Sequence, residues 1–429
     1  MSYLDLSLPE LKDALTQVTD EYDAFCALDL KLNMARGKPS REQIALSLPL
    51  LDTLTSQSDL YAQDGTDCAN YGVMDGIVEA KQLMGSMMQQ DPNLVCVCGN
   101  ASLNIMYDLV NMGAMRGFNG HTPWNKLDHV RWLCPVPGYD RHFSIIEAFG
   151  FEMIPIPLNE SGPDMDMVEE LVSHDASIKG IWCVPQYSNP SGVTYSYETV
   201  SRLASMPCAA PDFKIFWDNA YCVHHLSDDV QDHVADIAQA CAVAHTDTRY
   251  LKFASTSKIT LPGSGIAAVG ACKENIDAIK KHLSVQTVGY DKINQLRHVR
   301  FLRDMDGITE QMHKHALIIK PKFDAVDAIL TNELTGTGIA SWTHPHGGYF
   351  ISFNGLDNTA KRTVELASHA GVVLTGAGAT WPHKQDPHDN NIRIAPTLPP
   401  LEELEQAMHV FVCCVKRAAL EELIAQKTQ

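Results

Sequence analysis

One rhythm constrains this chain more than any other feature: a short apolar run, then small or polar residues, then a stretch of helical length, over and over. Residues 94–98 run into Gly99-Asn100-Ala101-Ser102, and 130–134 run into Pro135-Val136-Pro137-Gly138-Tyr139. Residues 180–184 lead to Asn189-Pro190-Ser191-Gly192, 214–217 to Asp218-Asn219-Ala220-Tyr221, and 250–253 to Ser255-Thr256-Ser257-Lys258. The runs 151–156 and 266–271 have the same texture. Unbroken apolar strands are buried on both faces, and helical lengths between them imply crossovers. The pattern predicts an α/β fold around a mostly parallel sheet. Ligands of such sheets bind beyond the carboxyl ends of the strands. Gly99, Tyr139, Asn189, Asp218 and Lys258 all fall there, so together they point to one site.

At 429 residues the chain exceeds what one compact core holds, and two domains are expected. The texture changes near residue 300, where Arg297, Arg300 and Arg303 precede a long helical stretch. We read 61–300 as a large ligand-binding domain and 301–429 as a smaller α/β domain. Residues 1–60 form an N-terminal segment packing with the small domain. In that segment Ser7-Leu8-Pro9-Glu10 reads as a capping box, followed by Leu11, Leu15, Val18, Tyr22 and Phe25 at helical spacing.

A net charge of -19 with no basic cluster argues against nucleic acid or anionic membranes as partners. An anionic substrate would need a locally positive pocket. The twelve cysteines follow no metal-ligand spacing and read as buried thiols of a reducing compartment. Without a signal-like N-terminus or a membrane-length apolar run, the cytoplasm is the expected location. A metal hydrolase built on His224-His225, His344 and His346 is disfavoured, because adjacent histidines in a strand face opposite ways and no HExxH motif occurs. No metal site is expected.

Two stretches carry more specific chemistry. The turn 99–102 precedes a helical stretch, and a helix N-terminus there is either an anion cradle or a plain strand-to-helix turn. Lys258 sits among small hydroxyl residues just past a buried strand. It is either a loop lysine in water or a desolvated amine, whose lowered pKa makes it a nucleophile toward an aldehyde. Gly37, between Arg36 and Lys38, either lets a ligand approach the backbone or marks an exposed turn.

In order, Asn189-Pro190-Ser191-Gly192, Asp218-Asn219-Ala220-Tyr221 and Ser255-Thr256-Ser257-Lys258 resemble the fold-type I pyridoxal-phosphate aminotransferases. The stretches Arg36-Gly37-Lys38-Pro39, Pro137-Gly138-Tyr139-Asp140-Arg141-His142-Phe143 and Asn294-Gln295-Leu296-Arg297-His298 look most like the bacterial aspartate-aminotransferase-like subgroup. The resemblance runs from about Arg36 to Pro396. It implies pyridoxal 5′-phosphate as cofactor, an L-amino acid (aspartate or glutamate) and a 2-oxo acid as substrates, and a homodimer with shared active sites.

The resemblance also assigns roles. Lys258 would bond the cofactor's aldehyde carbon and then shuttle a proton. Asp218 would pair with the pyridine nitrogen, and Tyr221 and Asn189 would hydrogen-bond the ring oxygen. Tyr139 would stack on the ring. Gly99, Asn100, Ala101 and Ser102, with the hydroxyls of Ser255 and Ser257, would hold the phosphate, and Tyr71 would reach it from a second subunit. Arg393, Asn189 and Gly37 would meet the substrate. One departure stands out: eight residues after the lysine, where the family pattern has a phosphate-binding arginine, this chain has Ile266. Candidates for a second substrate carboxylate are Lys38, Lys292 and Arg297. The same cofactor chemistry serves β-elimination and decarboxylation, and the same fold serves non-catalytic regulators. A regulator fits less well, since only a short helical segment precedes the motifs of this acidic chain.

Overall fold

The computed structural model describes residues 2–428. Eight strands form the main sheet, in the order Val95–Val97, Ala267–Ala271, Tyr250–Ser255, Lys214–Asp218, Ile178–Cys183, Arg131–Val136, Glu152–Asn159 and Gly162–Pro163. The five from Tyr250–Ser255 to Glu152–Asn159 are parallel to one another. Ala267–Ala271 runs antiparallel to both of its neighbours. This is the mostly parallel sheet that the apolar runs predict.

Alternation decides which side chain packs where. Trp132, Trp182, Phe216 and Phe253 meet on one face, with ring centroids 5.1 Å apart for Trp132–Phe216, 4.9 Å for Trp182–Phe216 and 5.4 Å for Phe216–Phe253. Leu133, Ile181, Ile215 and Trp217 fill the other face. Gly180 is forced by this packing, since a Cβ there would stand 2.5 Å from the Trp132 ring. With both faces buried, register is pinned, and the strand ends carrying Tyr139, Asn189, Asp218 and Lys258 share one edge.

A second body of structure closes over that edge. Ser341–Trp342, Ile351–Asn354 and Asn391–Ile394 form a three-stranded antiparallel sheet, and Leu32–Asn33 pairs in parallel with Val372–Val373. Helix Leu8–Cys26 carries the expected capping box, with the Ser7 N–H donating to Glu10 over 2.7 Å. It packs against helix Leu401–Thr428, and Leu11, Val18 and Tyr22 share a core with Val326, Phe353 and Phe411. The sequence reading overlooks the strand Leu32–Asn33, because two residues carry no periodicity. No described helix is long and apolar enough to cross a membrane.

Behind Lys258 lies a layer of buried histidines. His298 places Nδ1 2.8 Å from the Asn294 carbonyl and Nε2 2.9 Å from the Thr260 hydroxyl. A carbonyl only accepts, so Nδ1 carries the proton and Nε2 accepts from threonine. His315 likewise directs Nε2 to the Ile259 carbonyl at 3.0 Å, leaving Nδ1 to accept from Gln43 at 3.0 Å. Burial pushes both imidazoles down from 6.5 to about 4. Between those values the unfolded chain binds the extra protons and the native one does not, so stability falls as pH falls through 6.5. Each histidine should cost roughly 2 kcal/mol by pH 5. Urea midpoints at pH 7.5 and pH 5 measure this, and midpoints that coincide would contradict it.

Candidate active site

The strand ends and the loops of the smaller sheets enclose a cavity of about 530 Å³. Lys258, Asp218, Tyr221, Asn189, Tyr139 and Arg393 all line it, as do Ala101, Ser102, Ser255, Ser257 and Gly37. Residues from five strand ends thus converge with one arginine from the small sheet. Gly99 and Asn100 do not line the cavity. The Gly99 carbonyl is taken up by the Ala267 N–H at 3.1 Å, and that of Asn100 by the Ser257 hydroxyl at 3.3 Å.

Among the described residues the Lys258 amine has no hydrogen-bond partner, and it stands 4.9 Å from the centre of the Tyr221 ring. Burial lowers its pKa, while the Asp218 carboxylate pulls the other way. Buried lysines elsewhere in the sheet are treated differently. Lys179 is held by Asp212 at 2.7 Å, and Lys252 by Asp236 and two carbonyls. Lys258 is left unpaired with its nitrogen on the cavity.

Asp218 ends its strand 3% exposed. One oxygen, Oδ2, lies 3.0 Å from His142 Nε2; the other, Oδ1, is buried with no partner. An orphaned carboxylate oxygen is costly to bury, so this atom calls for a cationic or N–H group in the cavity. His142 is itself fixed, stacked on Trp182 at 4.3 Å with rings 11° apart. The sequence reading quotes His142 within a motif and gives it no role. A histidine on a helix carries no local sign of a partner 76 residues further on.

Burial raises the pKa of the Tyr139 phenol to about 12, aided by Asp218 and Asp140, and pushes that of Tyr221 well up as well. Both therefore remain hydrogen-bond donors at any physiological pH. Asn189 accepts from Arg393 Nη1 through Oδ1 at 3.2 Å, leaving its amide N–H groups free for a ligand. The guanidinium of Arg393 also meets Asp140 Oδ1 at 3.2 Å and lies 4.9 Å above the Phe350 ring, while its buried Nε has no partner. The same Phe350 explains Gly37, where a Cβ would stand 2.4 Å from the ring.

Helix Ser102–Arg116 begins at Ala101 with no side-chain cap, so its first N–H groups face outward unfilled. The hydroxyls of Ser255 and Ser257 lie 3.2 Å apart beside that turn. The N–H groups left free at this helix N-terminus, with two hydroxyls beside them, suit a phosphate. Ile266 is 1% exposed and packs inward, so nothing from that position reaches the cavity.

Two expectations meet a different arrangement. Lys292 is buried, donating to the carbonyls of Asn70 at 2.6 Å and Gly72 at 2.9 Å, and does not line the cavity. Arg297 does not line it either, and bonds Asn294 at 3.0 Å within its own helix. Tyr71, between the two carbonyls that Lys292 holds, is 86% exposed. The cations that do line the cavity besides Lys258 and Arg393 are Lys38, Arg36 and Arg141, none paired with a carboxylate among the described residues. No cluster of three or more potential metal ligands occurs among the described residues. His344 faces Asp327 at 2.7 Å, and His346 faces Asp232 at 2.8 Å.

Comparison with known proteins places this geometry. The family described as aspartate amino-transferase matches residues 6–427. An aspartate aminotransferase of Corynebacterium glutamicum is 46% identical over 402 residues, covering 94% of this chain and 92% of that one. The crystal structure of an aspartate transaminase from the same species superposes with a TM-score of 0.96 at 44% identity, covering 99% of each chain. At 17% identity, an α-aminoadipate aminotransferase from Thermus thermophilus complexed with N-(5′-phosphopyridoxyl)-L-leucine shares the fold, with a TM-score of 0.71 over 92% of this chain and 93% of that one.

Proposed function

The chain belongs to the aspartate aminotransferase family and is an aminotransferase, and we propose that it moves the amino group between aspartate or glutamate and a 2-oxo acid. Pyridoxal 5′-phosphate, which the family implies, supplies an aldehyde that bonds amines and a ring that takes up the electron pair of a broken Cα–H bond. The observation that carries this reading is the pairing of two incomplete groups across one cavity: a buried amine with no partner and a buried carboxylate oxygen with none.

The residues divide the work. Lys258 would bond the cofactor and, once displaced, serve as the base at Cα. Asp218 would hold a proton on the pyridine nitrogen through its free Oδ1. Tyr221 and the Asn189 amide donate to the ring oxygen, and Tyr139 covers the ring. The N–H groups of Ala101 and Ser102 take the phosphate together with the Ser255 and Ser257 hydroxyls. Arg393 grips the substrate's α-carboxylate. Tyr71 belongs to the neighbouring site of a homodimer. Its full exposure on a backbone fixed by Lys292 supports that role.

A second substrate carboxylate would meet Arg36, Lys38 or Arg141, of which Arg141 is two residues from the ring-covering Tyr139. Mixing the cofactor-loaded protein with a panel of amino acids tests both points. Aspartate or glutamate should bleach the visible absorption of the bound cofactor fastest, with a new amino acid appearing from the added 2-oxo acid. Release of ammonia instead would point to elimination. Arg141→Ala should raise KM for aspartate about 10- to 100-fold and leave that for alanine nearly unmoved, the effect of one charged hydrogen bond.

A further inference from the structure

Arg393 is not free. Its Nη1 is 3.2 Å from Asp140 Oδ1 as well as from Asn189 Oδ1, so the guanidinium assigned to a substrate carboxylate already carries a carboxylate of the protein. Asp140 is the first residue of helix Asp140–Ala148, directly after Tyr139, and lines the same cavity. Its side chain is 33% exposed against 7% for that of Arg393. The remainder of the guanidinium is poorly served. Nη2 has only the Thr375 hydroxyl at 3.5 Å, and Nε has no partner.

A second carboxylate docking beside Asp140 would be repelled by it at this short range. The two compete for one cation. We propose that Asp140 is a resident competitor: it occupies Arg393 while the cavity lacks substrate and yields it when a substrate carboxylate arrives. The inference rests on reading Arg393 as the α-carboxylate site.

The device has a physical use. A buried guanidinium without an anion is expensive, and Asp140 keeps it paired and aimed between turnovers. The more exposed partner is the one that can move, since water is within reach of its carboxylate and not of the arginine. Two unpaired cations on the same cavity wall, Arg36 and Arg141, stand ready to receive it. Displacing Asp140 requires a ligand that brings its own carboxylate, so amines lacking one gain nothing from Arg393. The cost falls on affinity for every carboxylate ligand.

Asp140→Asn keeps the shape and removes the charge. Calorimetric titration with succinate, which carries carboxylates and no amine, reads the competition directly on the cofactor-loaded protein. Succinate should bind about five- to tenfold more tightly to the variant, in the range of a partly exposed ion pair, and KM for aspartate should fall in the same proportion. Asp140→Ser, which also suits the start of a helix, should shift both in the same direction. Unchanged affinity in both variants would overturn the proposal, and weaker binding would make Asp140 a positioning residue for Arg393 instead. Arg393→Ala separates the two levels: if it binds succinate as well as the native protein does, the assignment of Arg393 itself fails, whatever Asp140 does.

Discussion

Lys258→Ala is expected to abolish transamination, with kcat lower by about 10⁴-fold or more, because in the proposed function one side chain supplies both the covalent link and the base. Its nitrogen stands on the cavity with no hydrogen-bond partner among the described residues, and burial favours its neutral form. Lys258→Arg separates chemistry from charge. Guanidinium keeps the positive charge but stays protonated and cannot bond an aldehyde or abstract a proton. Both variants should lose the visible absorption of the covalently held cofactor. Substantial turnover by the arginine variant would show that the lysine acts only as a charge. Fluorescence of Trp182 and Trp217, near the site but not on it, should report native packing in both.

The large sheet was legible because burial on both faces wrote each strand as an apolar run, and the turn residues marked its carboxyl end. Lys258, Asp218 and Asn189 could be found the same way: each is a polar group where an apolar run stops. What the sequence hid is contact across the fold. His142 touches Asp218 only because a helix and a strand end bring residues 76 apart to 3.0 Å. The sequence reading quotes Asp140 within a motif and gives it no role, and nothing local signals the arginine 253 residues later. Lys292 and Arg297 were credible cations on composition alone. The face of their helix decides otherwise, turning one amine to backbone carbonyls and the other side chain toward its own helix. Gly37 lines the cavity, and what no local pattern shows is that Phe350 stands where its Cβ would be.

Asp218→Asn should bring the second large loss. The native carboxylate is 3% exposed, with Oδ2 on His142 and Oδ1 open to the cavity. A charged partner at the pyridine nitrogen holds its proton, and without that charge the ring loses its hold on the electrons of the broken Cα–H bond. Removing one member of a buried ion pair costs roughly 3–5 kcal/mol. At 1.36 kcal/mol per decade, kcat should fall about 10²- to 10⁴-fold, with KM for aspartate little changed because Arg393 is intact. His142→Phe discriminates the origin of the effect. Phenylalanine preserves the stack on Trp182 but removes the hydrogen bond that orients Asp218, so the loss should be smaller, about 10- to 100-fold, as for one hydrogen bond to a charged group. A merely structural histidine would leave the spectrum of the bound cofactor unmoved. If His142 acts through Asp218, the variant should shift the pH dependence of that spectrum in the same direction as Asp218→Asn, and a double variant should be no worse than Asp218→Asn alone. Additive losses in the double variant would mean that the two residues act separately.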